Sequence, residues 1–352
     1  MVGPWASMGI ACRFEPGAAG LQAMSDGSVP VLEIAGLRTE FRIGGVWRAA
    51  VDGLSLTVAR GETLALVGES GCGKSMTALS VMGLVPHPAG RMRGSVRLEG
   101  TELVGLGEGA LERLRGDRMA MIFQEPMTSL NPVMTIGDQV AEALVLHRGV
   151  SRAEARRLAL GVLEEVKIPS AARRFDDYPH QFSGGMRQRV MIAIALACEP
   201  ALLLADEPTT ALDVTIQAQV LGLLADLKAR HGMAMLFITH NLGVVAQIAD
   251  RVAVMYAGQI VEEGDVASNI ARPAHPYTRA LFAAIPRMDL DDQELVAIAG
   301  RVPALDAMPE GCRFAPRCDA ARAGCARAQA LRPVEGAHLA RCHVATGVLA
   351  DA

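Results

Sequence analysis

A chain of 352 residues, 51% of them hydrophobic, holds material for two or three domains with substantial cores. Its 34 basic and 38 acidic residues leave a net charge of −4, without the basic excess that a dedicated nucleic-acid binder uses to neutralise phosphates, so nucleic acid is not an expected partner. The longest apolar stretch, Val190 to Ala205, is broken by Glu199 and Pro200 and falls short of the roughly 20 residues that cross hydrocarbon, so any work at a membrane is done by docking.

Residues 1–27 have neither the charged start nor the continuous apolar core of a secretory signal and read as a disordered leader, with Met8 and Met24 as alternative starts. From Val31 to about Val67, short β-type runs (LEIAGL, LSLTVA, TLALV) alternate with Gly-bearing turns and predict a small sheet leading into GESGCGKS at 68–75. SMTALSVMGLV then predicts a helix, and MAMIFQ at 119–124 a buried strand. Residues from about 126 to 199 predict an inserted helical lobe, with a capping box of Ser151 and Glu154 and with Ser183 capping GGMRQRVMIAIALA. Two core strands, ALLLADE at 201–207 and MAMLFITH at 233–240, flank a helix that Gly232 ends, which implies a parallel sheet. VAVMYAGQIVEEG predicts a hairpin turning at Ala257 and Gly258. Beyond about Asp265 proline, arginine and four cysteines become frequent, which predicts a domain boundary there and an extension over 265–352.

GESGCGKS matches G-x-x-x-x-G-K-[ST] between a strand and a helix, the setting in which backbone N–H groups and a helix N-terminus cradle phosphates. Gly68, Glu69, Ser70, Gly71, Cys72, Gly73, Lys74 and Ser75, with Met76 directly after, form the predicted grip. In it Lys74 bridges the outer phosphates, Ser75 ligates Mg²⁺, and Cys72 is a small filler. Asp206 and Glu207 end a buried strand, where one carboxylate suits a Mg²⁺ contact and the other can polarise a water. His240 follows the next strand in the same layer and can position that water, while the Gln124 amide can join the Mg²⁺ shell.

The phosphate loop, Gln124, FSGGMRQR at 182–189, LLLADEP, ALD at 211–213 and His240, in that order, resemble an ATP-binding cassette (ABC) ATPase over roughly residues 31–264. The resemblance implies an α/β phosphate-loop fold with a mixed core sheet, an antiparallel N-terminal β subdomain and an inserted helical subdomain, the whole domain running from 28 to 264. It also implies a dimer in which Ser183, Gly184 and Gly185 of one subunit meet the γ-phosphate held by the other. Glu207 becomes the catalytic base, Asp206 the Mg²⁺ residue, Asp213 a cross-dimer contact and His240 the switch histidine. Phe41 takes the place of the adenine-stacking aromatic, with Trp47 the competing choice; Phe182 and Met186 depart from the common signature without touching Ser183–Gly185.

MIFQEPMTSLNP, FSGGMRQRVMIAIAL, AHPYTRAL and GCRFAPRC resemble, more narrowly, the ATPase subunits of bacterial oligopeptide and dipeptide importers, a group that also contains nickel and other small-solute relatives. This implies a place on the cytoplasmic side of the inner membrane, beneath two integral permease subunits fed by an external solute-binding protein. A second ATPase subunit, related or identical, completes the machine. A soluble cassette ATPase acting on ribosomes or DNA is the alternative of another class; a non-hydrolysing partner subunit would lack Glu207 or His240, and both are here.

Cys312, Cys318, Cys325 and Cys342 are separated by five, six and sixteen residues, matching neither a zinc ribbon nor a ferredoxin. Disulfides are disfavoured among cytosolic thiols. Four thiolates can converge on one metal centre if the loops fold back, with Arg313, Arg317, Arg322 and Arg327 offsetting their charge. The importer resemblance implies a [4Fe–4S] cluster; zinc, with His343 able to replace one cysteine, or four unligated thiols are the alternatives.

Overall fold

The computed structural model describes residues 29–125, 129–210, 212–284 and 298–347. The leader with Met8 and Met24, Pro126–Thr128 of the MIFQEPMTSLNP motif, and Ala211 of ALD lie outside the described residues.

The chain begins with β1 (Leu32–Ile43) and β2 (Val46–Val58), an antiparallel pair, followed by β3 (Thr63–Val67) and helix α1 (Lys74–Val81). β4 (Gly90–Leu98) and β5 (Thr101–Glu102) return to β1, making a four-stranded antiparallel sheet of order β2-β1-β4-β5. After α2 (Glu108–Leu114), β6 (Met119–Ile122) enters the main sheet. A helical lobe of α3 (Ile136–Arg148), α4 (Arg152–Glu165), α5 (Ala171–Arg174) and α6 (Gly184–Leu196) comes next. The chain then alternates through β7 (Leu202–Asp206), α7 (Val214–His231), β8 (Ala234–Thr239), α8 (Leu242–Ile248), β9 (Arg251–Tyr256) and β10 (Gln259–Asp265). The extension adds α9 (Val266–Ala271), α10 (Pro276–Ala283), β11 (Arg332–Glu335), β12 (His338–Ala340) and α11 (His343–Thr346).

Among the described residues the main sheet has eight strands, in the order β11-β12-β10-β9-β3-β8-β7-β6. Its middle, from β9 to β6, is parallel, and β3, β7 and β8 are buried along their whole length. Strands covered on both faces need apolar residues at every position, which is why TLALV and AMLFIT show no alternation. The β9–β10 hairpin turns at Ala257 and Gly258, both at positive φ (46° and 86°), the backbone that a two-residue turn of this hand needs.

The helical lobe packs on one apolar stripe per helix. Ile136, Val140 and Leu144 on α3, and Ala155, Ala159 and Leu163 on α4, recur every fourth residue and are buried together with Phe175. Each large aliphatic side chain so buried contributes roughly 1.5–3 kcal/mol before entropy is counted. Ser151 accepts from the Glu154 N–H at 3.3 Å, but only this half of the capping box forms. The Glu154 carboxylate turns instead to Arg157 (3.0 and 2.6 Å), because a two-pronged charged pair outcompetes a neutral backbone donor.

The extension continues the cassette's own sheet. β12 pairs with β10 (Glu262↔Ala340), and the fully buried Glu262 carboxylate collects the Ala274 N–H (2.8 Å), the His275 N–H (2.7 Å) and His338 Nε2 (2.7 Å). His275 caps α10, and burial pushes its imidazole down to about 3, helped by the Arg279 and Arg341 cations, so it stays neutral.

Candidate active site

Register brings the site together. Val67 is level with Thr239, Asp206 with Ile238, and Ile122 with Ala205, so β3, β8, β7 and β6 all end at one edge. The residues that follow these strands therefore gather at the carboxyl end of a parallel sheet, where such folds bind ligands. They line a cleft of about 780 Å³ that includes Gly68–Gly71, Lys74, Ser75, Gln124, Glu207 and His240.

The phosphate loop needs its glycines for reasons of space. At Gly68 (φ 156°) a Cβ would lie 2.2 Å from the Met255 carbonyl oxygen, and at Gly73 (φ 111°) 2.8 Å from that of Ala50. The Lys74 ammonium is folded over the loop, donating to the carbonyls of Gly68 (2.8 Å) and Glu69 (3.0 Å). Cys72 is buried in the core and its thiol is pushed up by that burial; its sulfur lies 3.9 Å from the Lys74 ammonium, and its carbonyl accepts from the Gly258 N–H at 2.7 Å. Met76 lines the cleft at the start of α1.

Asp206 and Glu207 face different neighbours because the chain switches conformation between them. Asp206 is still in the strand; Glu207 is left-handed (φ 47°), a costly backbone for a non-glycine residue, held by its N–H to the Ile238 carbonyl at 2.9 Å. The Glu207 carboxylate accepts from Gln124 Nε2 (3.0 Å), Thr210 Oγ1 (3.0 Å) and His240 Nδ1 (2.9 Å). Burial works to raise this carboxyl, but the His240 and Thr210 bonds and the charges of His240 and Lys74 outweigh it and hold it below its ordinary value. Asp206 goes the other way. Burial raises its carboxyl against a hydrogen bond from Ser75 and the Lys74 charge, and the Glu207 charge adds to the rise.

Asp206 Oδ1 is buried without a hydrogen-bond partner among the described residues, beside a serine hydroxyl and at the edge of a phosphate cradle. An orphaned carboxylate oxygen is costly unless something cationic answers it. This donor set of hard oxygens, Asp206, Ser75 and the Gln124 amide, fits Mg²⁺.

Phe41 on β1 lines the cleft, whereas Trp47 on β2 does not: the Arg91 guanidinium lies over its ring at 4.0 Å. Ser183, Gly184 and Gly185 lie outside the cleft of their own chain. Ser183 caps α6 by accepting from the Met186 N–H (3.4 Å), and Asp213 caps α7 by accepting from the Ile216 N–H (2.9 Å). Gly185 abuts Ile216, so both helix starts share one exposed face, next to the 83% exposed Val214.

Several contributors lie outside the sequence motifs of the cleft. Thr210 is the third donor to Glu207. Arg317 makes a two-pronged pair with Glu69 (2.8 and 3.0 Å), and the Tyr277 hydroxyl accepts from the Glu69 N–H at 2.9 Å, so the extension touches the phosphate loop itself. AHPYTRAL had flagged Tyr277 by resemblance without saying what it does; nothing in the sequence pairs Arg317 with a residue 248 positions away. Arg313 pairs with Asp52 and the Ala257 carbonyl. Two arginines expected to offset thiolates thus serve the cassette instead.

The cysteines occupy one lobe: the Cys312 N–H donates to the Cys325 carbonyl at 2.8 Å, and Cys325 and Cys342 lie near enough to Cys312 and Cys318 to oppose their ionisation slightly. Burial pushes Cys312 and Cys318 upward. Among the described residues no three His, Cys, Asp or Glu side chains are grouped closely enough to hold a metal ion, so the thiols as arranged do not form such a site. No described helix is long and apolar enough to cross a membrane.

Fold and cleft together define a phosphate-loop ATPase. The chain matches the ABC transporter family over residues 51–210 and the oligopeptide/dipeptide transporter C-terminal region over residues 261–325. A relative from Brucella abortus (strain 2308), provisionally named a peptide import ATP-binding protein, is 50% identical over 315 residues, 90% of this chain and 95% of its own. Another from Brucella melitensis biotype 1, with the same provisional name, is 52% identical over 326 residues, 89% of this chain and 96% of its own. Among solved structures, a dimeric ATP-binding cassette in a post-hydrolysis state with ADP and phosphate superposes with a TM-score of 0.60. It is 28% identical and covers 67% of this chain and 98% of that one. The chain belongs to the ABC transporter ATPases, in the branch that carries the oligopeptide/dipeptide C-terminal region.

Proposed function

We propose that this ATPase energises the import of oligopeptides or dipeptides, working as one half of a dimer that closes on ATP and opens on hydrolysis. The observation that carries the chemistry is the Glu207 carboxylate, held by Gln124, Thr210 and His240 at the mouth of the phosphate-loop cleft. Its lowered pKa keeps it ionised at neutral pH, so it can accept a water's hydrogen bond and polarise its oxygen. Lys74 would leave the two loop carbonyls for the phosphates, and the loop's N–H groups would take their oxygens. Mg²⁺, held by Ser75, Asp206 and Gln124, would supply neutralisation of phosphate charge when bound. His240, 57% exposed at its side chain, is free to report to the facing subunit whether Glu207 is engaged.

The exposed face of Ser183, Gly184, Gly185 and Asp213 supports the dimer: these groups lie outside the cleft of their own chain, and the α6 start at Ser183–Gly185 presents a helix N-terminus suited to an anion. The apolar groove where β6 meets the helical lobe, lined by Phe123, Leu130, Met191 and Ile194 among others, suits a helix from a membrane permease subunit. We place the chain on the cytoplasmic face of the inner membrane, with a second ATPase subunit, two permease subunits and an extracytoplasmic binding protein as partners. For the tail, the importer resemblance favours a [4Fe–4S] cluster on Cys312, Cys318, Cys325 and Cys342, zinc being the alternative; its formation would need the thiols to be drawn together. Iron, sulfide and zinc content of chain purified without air decides this, and metal-free protein with full activity would remove the cluster.

The test of the engine is Glu207→Gln. Turnover should fall by about 10²–10⁴ with ATP still bound, the usual contribution of a positioned base. An unchanged steady-state rate in the assembled transporter would refute the assignment.

A further inference from the structure

The cleft has a wall that the cassette does not supply. Leu281 on α10 and Val302, Pro303, Leu305 and Met308, on the segment leading away from residue 298, line the same cleft as Phe41, Lys74 and Glu207. Leu281, Val302 and Met308 are packed from behind by a cluster that contains Tyr256, Tyr277 and Phe314, whose rings meet edge to face or tilted. Pro303 and Leu305 are half-buried and join no apolar cluster among the described residues, so their open apolar surface belongs to the cleft.

This wall is fastened to the phosphate loop. Arg317, whose side chain is 5% exposed, grips both Glu69 carboxylate oxygens and also donates to the carbonyls of Ala299 (2.8 Å) and Ile298 (3.3 Å), where the wall segment begins. Tyr277, on the helix that carries Leu281, holds the Glu69 N–H. One residue of the loop is thus tied to both ends of an aliphatic strip. Phosphates gain nothing from aliphatic contact; a nucleobase and ribose, with apolar faces to cover, do.

We infer that residues 302–308 form the nucleobase-side wall of the cleft, sharing the base with Phe41, and that Arg317 is a positioning residue that sets this wall against the phosphate loop. The inference rests on the ATPase reading above. It makes the extension part of nucleotide recognition.

The test compares ATP with inorganic tripolyphosphate, which offers charge without a base, on the full-length chain. Leu305→Ser and Met308→Ser should each weaken ATP about tenfold, the loss of one aliphatic contact, and move tripolyphosphate by less than about twofold. Arg317→Lys keeps the charge but not the paired grip, and should lower the ratio of ATP to tripolyphosphate affinity by roughly threefold; a purely structural role would lower both alike. ATP carrying a photoreactive azide on the purine should label the peptide spanning 298–308 in the unaltered chain, a readout independent of how the variants fold. Equal losses for both ligands, or label excluded from that peptide while ATP is bound, would overturn the wall. Failure of the unaltered chain to bind either ligand would overturn the ATPase reading instead.

Discussion

The phosphate-loop cleft and the extension share one sheet, eight-stranded among the described residues, yet they hold their charged groups in opposite ways. In the cleft, acceptors are kept open or over-supplied with donors: among the described residues Asp206 Oδ1 has no partner and Glu207 has three. Where the extension joins the cassette, charged groups are answered by protein, although Asn269 Oδ1 and Thr278 Oγ1 are buried without a partner among the described residues: Glu262 of β10 accepts from Ala274, His275 and His338, and Arg313 and Arg317 are turned to Asp52 and Glu69. An open arrangement awaits a ligand. A closed one braces its neighbour, and here the neighbour is the cleft.

The largest expected effect strikes the brace. Glu262→Ala leaves two backbone N–H groups and His338 buried without an acceptor, at a cost of about 3 kcal/mol. A fall in thermal midpoint of roughly 5 °C or more should follow, in a single transition, because β10 joins the extension to the cassette. Two separate transitions in calorimetry, with the cassette's unmoved, would break the comparison by showing the extension to be an independent body.

The two regions also differ in how far they could be read from the chain. The cleft was legible because its parts are contiguous: a buried strand, a glycine loop and a helix over residues 63–81, and a strand ending in Asp206–Glu207. Local sterics and burial fix such pieces, and parallel register does the rest. The extension escaped because its geometry is non-local. β11, RPVE, is exposed throughout and holds a proline, so nothing in its pattern announces a strand, and pairing with β12 alone makes it one. Arg317 likewise looked like a counter-charge for cysteines until folding set it beside Glu69. The half-formed capping box at Ser151 failed for a local reason, since Arg157 competes for Glu154 one turn away.

A smaller effect separates the open site from the closed one by its sign. Asp206→Asn should stabilise the ATP-free chain at neutral pH by about 1–2 kcal/mol, because it removes a carboxyl whose charge burial opposes and whose Oδ1 has no partner among the described residues. The sign follows from the raised pKa: native Asp206 binds its proton more tightly than the unfolded chain does. Its stability contribution is therefore full below the ordinary carboxylate pKa and is lost as pH rises through the folded value. The advantage of Asn should vanish below that ordinary value and reverse when MgATP is added, which stabilises the parent by binding to the native state. Thermal midpoints measured against pH, with and without MgATP, check both; an advantage independent of pH would mean that Asp206 is not ionised in the fold.

The smallest effect distinguishes two aromatic residues on adjoining strands. Phe41 lines the cleft and Trp47 is covered by Arg91, so Phe41→Leu should weaken ATP by about 3–10-fold, as expected for losing a stacked ring, and Trp47→Leu by less than about twofold. GTP and ATP should lose equally in Phe41→Leu, because a ring face reads planarity and area, not the edge of the base. If Trp47→Leu proved the more damaging, β2 would have to swing its tryptophan out from under a cation worth up to about 1 kcal/mol at such an exposed site. The open cleft would then be a shape that ATP remakes on arrival, and the contrast between a site built in advance and a brace built to hold it would fail at its apolar end.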